Sequence, residues 1–415
     1  MNKQQLSNWG VGMGCAAVCG MAVTMTFSRA LFNIFALLMV VAWVLTGRFR
    51  YLAAEARQSP VMAVCLLMFG WIVVGVWYSP ASSNQAWDQA ATYGKLLLIP
   101  LMASFVDTPQ RTRALWLSAV AGLLILQVAY VADLWVEIPG SLSAKTQGIG
   151  VFNNYIVEGF SMTVLALTMT SVSALCLKRR QHMPAGIAGL VAAVSVYCVL
   201  FLNPGRGAQL ALVAGMVVLA FLLMPNKVRW LGGAVVAAGI VVLATQSAMV
   251  TQRFELALAE ARSADTQKQT SVGLRINAWK AGLSLWQESP VLGRGTGSYQ
   301  HLLFTEKSEA VGGCEGNPVC LQPHSQYVLF LDEQGLVGLL LFVALLGALV
   351  WPALKSPHIQ AKLSAAFACA FAVHAAFDSG LRMGTQMFVF MVMAVALAAA
   401  VRLQWPDNGH PATAS

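Results

Sequence analysis

A histidine stands where a long polar stretch gives way to an apolar one. His324, in Pro323-His324-Ser325-Gln326, closes a polar segment from Thr251 to Pro323 and opens an apolar run from about Tyr327 to Trp351. That pattern places an imidazole at a membrane surface, in the first turn of a spanning helix. Imidazole is the side chain best suited to take a proton near neutral pH; a lone histidine at a helix start can equally be structural. Two other breaks in the apolar pattern hold arginines, in Asn203-Pro204-Gly205-Arg206-Gly207 and in Asp378-Ser379-Gly380-Leu381-Arg382-Met383-Gly384. An arginine close to a bilayer is costly and marks a pathway, a pairing or a site. Its planar fork of donors matches phosphate. Snorkelling to the headgroups is the alternative for Arg206, and pairing with Asp378 the alternative for Arg382. Once topology is counted, these breaks fall on one side of the membrane. A base and a set of guanidiniums there suit a reaction on an anionic, lipid-linked donor.

The elements that must position these residues are membrane helices. Of the 415 residues, 58% are hydrophobic and 10% charged, against about 25% charged in an ordinary soluble domain. The apolar runs are continuous, which excludes a barrel of short alternating strands. The expected fold is all-α and polytopic, a single integral membrane domain over 1–415. Twelve spans are read near 9–27, 30–46, 61–78, 93–106, 114–135, 156–177, 185–202, 207–224, 230–249, 326–351, 361–377 and 384–402, the fourth being short. The first is read as a retained helix and not a removed signal peptide. With the N-terminus in the cytoplasm, 14 of the 26 Lys and Arg fall in short cytoplasmic segments, as the positive-inside rule asks. The net charge of +9 is scattered over loops, so it does not point to nucleic acid. The segment Gln404–Ser415 reads as a disordered tail.

The segment 251–323 is too long to be a mere connector. Its first part alternates charge with Leu and Ala in a helical rhythm. Its second, Leu274 to Glu288, spaces Trp279, Leu283 and Trp286 as on one helix face beside Arg275 and Lys280. Such a helix suits the bilayer interface or packs on the bundle. The turn Ser289-Pro290-Val291-Leu292-Gly293-Arg294-Gly295-Thr296-Gly297-Ser298 lacks the Gly-Lys-Ser/Thr ending of a P-loop; its amides could form an anion nest. Turn signals also stand at Pro139-Gly140 and Gly148-Ile149-Gly150.

Asp332 and Glu333 lie about 12–14 Å along the helix from His324. That is too far to orient the imidazole, so pairing or hydrogen bonding inside the bundle is expected. Gly335 and Gly338 allow close helix approach, and His374 reads as a core histidine. There is no Asp-x-Asp pair or carboxylate cluster on the outer side to hold a divalent metal, and no Walker motif for ATP-driven transport. A transporter built from pseudo-repeats with broken helices finds no support in the sequence. Six cysteines (Cys15, Cys19, Cys65, Cys176, Cys198, Cys369) lie in apolar runs and read as packing residues. Cys314 and Cys320 share a polar loop and would form a disulfide if that loop faces an oxidising compartment.

Taken together, Gly205-Arg206-Gly207-Ala208, Arg275 with Trp279, Pro290-Val291-Leu292-Gly293 with Gly295 and Gly297, His324-Ser325, and Glu333 with Gly335 resemble the O-antigen ligase and polymerase superfamily. The resemblance implies a glycosyltransferase-C-like fold of about twelve spans in the bacterial inner membrane, with one large helical periplasmic loop at 251–323. Size and loop look most like the ligase that joins O-antigen to lipid A–core. The chain polymerase and the protein O-oligosaccharyltransferase are relatives using the same donor. The implied donor is a polysaccharide on undecaprenyl diphosphate, and the implied acceptor a sugar hydroxyl of lipid A–core. His324 would be the general base. Arg206 and Arg275, with Arg294 and Arg382, would hold the diphosphate in an inverting, metal-free transfer facing the periplasm.

Overall fold

Within a bilayer the backbone must satisfy its own N–H and C=O groups, and apolar runs of this length do so as helices. The computed structural model describes residues 3–136, 138 and 150–403, and among them it contains helices and no strand. The turn signals at Pro139-Gly140 and Gly148-Ile149, and the tail 404–415, lie outside the described residues.

In chain order the first helices are α1 (Lys3–Thr24), α2 (Arg29–Leu45), α3 (Phe49–Gln58), α4 (Pro60–Trp77), α5 (Ser83–Tyr93), α6 (Leu98–Ala103), α7 (Pro109–Ala132), α8 (Tyr155–Lys178) and α9 (His182–Tyr197). There follow α10 (Arg206–Leu223), α11 (Arg229–Thr245), α12 (Ala248–Arg262), α13 (Ser271–Trp286), α14 (Ser298–Thr305), α15 (Gln326–Lys355), α16 (Ile359–Ala375) and α17 (Gly384–Arg402). Seven spans among the described residues are long and apolar enough to cross a membrane: α4, α7, α8, α9 with its extension to Leu202, α10, α15 and α17. An eighth is α11 with α12, if that pair, bent by 90°, is one span. The twelve spans read from hydropathy also include α1, the 17-residue α2 and α16, and the stretch 93–106. That last stretch is a 3-10 turn, Gly94–Leu97, and the six-residue α6. At ~1.5 Å per residue α6 reaches about 9 Å, short of a hydrocarbon core of about 30 Å.

Between Gln386 and Arg402, α17 has no polar residue, and it is buried all round, as a helix apolar on every face must be. Phe390 of α17 packs on Phe371 of α16 with ring centroids 4.5 Å apart. Phe160 of α8 joins the same cluster. These contacts hold α8, α16 and α17 together as the frame under the site. The 24 residues of α8 span about 36 Å, so Tyr155 and Lys178 mark opposite ends of the bundle.

α15 is broken at Gly335, with φ 63° and ψ −161°. The Gly-rich turn docks into the break. Arg294 and Gly295 donate their amides to the carbonyls of Asp332 and Glu333 at 2.8 and 2.9 Å, and Leu336 donates to Pro290 at 3.0 Å. A side chain at 335 would bring its Cβ 2.2 Å from the Val291 carbonyl oxygen, and a positive φ is costly for any other residue. Of the amides that could form an anion nest, those of Arg294 and Gly295 are bonded to the helix break, and that of Thr296 to the Gly75 carbonyl of α4 at 3.0 Å.

The segment after α11 folds over one end of the bundle. Ala278, Leu285, Tyr299, Leu302 and Val311 form a small core with the Cys314–Cys320 disulfide, and Leu329 of α15 completes it. The α13 helix thus packs on protein, and its tryptophans are tied to protein carbonyls: Trp279 to Pro323 and Trp286 to Pro290, both at 2.9 Å.

Candidate active site

Arg206 owes its place to the turn before it. The chain leaves α9 through a π turn, Cys198–Leu202, a local irregularity common at functional sites. Asn203, 1% exposed, then accepts from the Gly205 amide and donates to the Tyr155 carbonyl, both at 2.8 Å. A Cβ at 205 would lie 2.7 Å from the Asn203 carboxamide oxygen, and one at 207 would press on Phe377 at 3.3 Å. Gly205 is the N-cap of α10 and supplies no side-chain cap. The first amides of a long helix therefore face the pocket beside Arg206, with their positive dipole end.

Three guanidiniums line that pocket: Arg206, Arg253 of α12 and Arg275 of α13, together with Tyr155, Ser271, His374 and Phe377. The right-angle bend between α11 and α12 turns the chain back so that Arg253 reaches it. Arg206 donates Nη1 to the Arg253 carbonyl at 3.0 Å. Among the described residues no carboxylate forms an ion pair with any of the three. Glu260, whose charge reaches Arg206, accepts instead from the Val272 amide at 3.0 Å. Unneutralised guanidiniums at a helix N-terminus are suited to a polyanion such as a diphosphate.

His324 lies just before α15 and not in its first turn, because Ser325 is the N-cap and accepts from the Val328 amide. The backbone at His324 is left-handed, φ 49°, a strained conformation for a residue with a side chain. Its approach is held on alternate carbonyls. Tyr299 donates to Val319 at 3.0 Å, Arg382 to Leu321, and Trp279 to Pro323 at 2.9 Å. Burial pushes the Tyr299 phenol well above its ordinary ionisation range, so it remains a neutral donor.

The imidazole Nδ1 lies 3.4 Å from Oδ1 of Asp378, long for a hydrogen bond. Asp378 is 1% exposed, and its Oδ1 also accepts from the Ser379 amide at 2.9 Å. An imidazole that directs Nδ1–H at this carboxylate leaves Nε2 as its acceptor nitrogen. Asp378 thus faces His324, and the pairing with Arg382, the alternative read from the sequence, is not formed.

Two elements join the imidazole to the arginine pocket. On α13, Arg275 lines the pocket, and Trp279, one turn later, grips the carbonyl before His324. Residues four apart share a helix face. At the end of α16, His374 lines the pocket, and Asp378, four residues later, meets the imidazole. His374 is a core histidine as expected, fully buried and 2.7 Å from the Gln386 amide nitrogen, yet it forms part of the pocket wall.

The other sequence candidates lie elsewhere. Arg294 is outside the pocket lining and is ion-paired with Glu288. Arg382 is spent on the Leu321 carbonyl and on Gln300 at 3.5 Å. Asp332 and Glu333 are buried at the helix break; Asp332 accepts from the Ser298 hydroxyl at 3.3 Å. Lys280 pairs with the exposed Asp265, whose carboxyl that hydrogen bond holds below its usual range. Among the described residues no three His, Cys, Asp or Glu gather as metal ligands. Sequence reading missed Arg253 and the pairing role of Asp378. Only a guanidinium on a helix after a sharp bend, and a carboxylate in the loop ending a span, were there to be noticed.

Residues 185–343 match the family model described as O-Antigen ligase. The match runs from α9 into α15 and takes in Arg206, Arg253, Arg275 and His324. It supports a place in the O-antigen ligase and polymerase superfamily and ligase- or polymerase-type activity. Asp378 and Arg382 lie beyond the matched stretch. A comparison with curated proteins finds no match.

Proposed function

We propose that this chain is a membrane glycosyltransferase that moves O-antigen polysaccharide from undecaprenyl diphosphate to a sugar hydroxyl of lipid A–core. The observation that supports this reading is the imidazole–carboxylate pair, joined through α13 and the end of α16 to a pocket of three arginines free of carboxylate ion pairs among the described residues. His324 Nε2 takes the acceptor hydroxyl proton as the oxygen attacks the anomeric carbon. The bond from that carbon to the diphosphate breaks, and its electron pair leaves on the phosphate oxygen. Arg206, Arg253 and Arg275, with the α10 N-terminus, stabilise the developing charge. A single displacement inverts the anomeric centre.

In this reading the end of the bundle carrying the site faces the periplasm of a bacterial inner membrane, with 251–323 as the one large external loop. Arg294 and Arg382 act on the loop that carries the site and not on the phosphate. The purified protein, incubated with glycan-diphosphate lipid and either lipid A–core or short donor repeats, tests it. Extension of lipid A–core, unchanged by a chelator, is expected. Extension of the donor repeats alone identifies a polymerase, and transfer abolished by the chelator overturns the metal-free step.

A further inference from the structure

The end of the bundle opposite the arginine pocket holds a cleft of about 530 Å³. That volume lies within the 300–1,000 Å³ typical of small-molecule sites. Its walls are α7, α8 and α16. Leu117, Val120, Val172 and Leu363 make the inside apolar, and Arg113 and Arg179 stand in the lining. Its position follows from the helices that build it. On α8, Tyr155 lines the arginine pocket while Arg179, at the other end, lines this cleft. On α16, His374 and Gln360 divide in the same way.

The shape and charge fit an amphipathic anion. Thr168 and Arg179 both line the cleft, eleven residues apart on α8, so it runs about 16 Å into the bundle. That depth suits an acyl chain and is out of proportion to a small solute. At the mouth, Arg113 and Arg179 are exposed, with Lys178 and Arg180 beside them. One wall is fixed, because Trp116 donates its indole N–H to the Ala396 carbonyl at 3.1 Å. Leu117 and Val172 remain exposed on the lining, open to a chain entering from the side.

We infer that this cleft binds one anionic diacyl phospholipid, with an acyl chain between α7, α8 and α16 and the phosphate at Arg113 and Arg179. The site is separate from the transfer reaction and does not depend on it.

The full chain in detergent, titrated with phosphatidylglycerol or phosphatidylcholine and read by native mass spectrometry, tests the assignment. Wild-type protein is expected to retain one phosphatidylglycerol with at least about tenfold preference, which is about 1.4 kcal/mol. Arg113→Gln with Arg179→Gln is expected to remove the preference, and Val120→Trp to remove retention of both lipids. Glycerol phosphate without acyl chains is expected not to compete. Equal retention of the two lipids by wild-type protein, preference unchanged in the double variant, or full competition by glycerol phosphate would each overturn the site. The wild-type comparison stands even if a variant fails to fold.

Discussion

Trp279 donates its indole N–H to the carbonyl of Pro323 at 2.9 Å, so the helix that carries Arg275 also sets the backbone on which His324 stands. Removing this bond should move the imidazole without touching the substrate's charge. Trp279→Phe is expected to lower kcat about fivefold to tenfold, about the worth of one hydrogen bond, with donor KM within about twofold. Steady-state kinetics with the donor varied would show it. An equal rise in donor KM would place Trp279 in binding instead.

Asp378 is nearly fully buried and faces His324. Asp378→Asn keeps the shape but removes the charge that stabilises the imidazolium. A fall in kcat of about 10²-fold or more is expected, within the range for general-base catalysis. Donor binding should be unchanged, as measured by retention of glycan-diphosphate lipid on the purified variant.

Arg253 gives the pocket its third guanidinium. Arg253→Gln is expected to weaken donor binding about tenfold, in line with loss of one charge-assisted contact to phosphate. Arg253→Lys should recover part of it, because Lys keeps the charge without the planar fork. Acceptor KM should not move, so the two substrates' KM values separate the effects.

Gly335 holds the break in α15 into which the Pro290–Gly297 turn docks. Gly335→Ala is expected to cost about 2 kcal/mol or more, from the positive φ and the close approach to Val291. A lowered midpoint of thermal unfolding would show it, and Gly293→Ala, in the turn facing the same contact, should behave alike.

Part of this arrangement is legible in the sequence. Arg206 between two glycines, and His324 at the boundary of an apolar run, stood out as breaks in the apolar pattern, with snorkelling and a structural histidine as the alternatives. The structure brings Arg206 and Arg275 into one pocket and ties His324, through Trp279 and Asp378, to two of the elements that line it. What the sequence hid was partnership. Asp378 and His324 are 54 residues apart, and nothing local distinguishes Asp378 pairing with Arg382 from Asp378 reaching a preceding loop. Arg253 lay in an alternating charged helix whose direction depends on a right-angle bend that hydropathy does not register. The amides of the 290–297 turn looked available for an anion, because the docking of Arg294 and Gly295 onto the helix break is a tertiary event. The short stretch 93–106 is divided between the end of α5, a 3-10 turn and α6, an irregularity that hydropathy does not register.

The central claim is that His324 removes the acceptor's proton at a donor held by the arginine pocket. Glycosidic bond formation by His324→Ala, from glycan-diphosphate lipid to purified lipid A–core, tests it most directly. The account predicts no product above background while donor retention stays at the wild-type level. Product formed at a rate near wild type would contradict it.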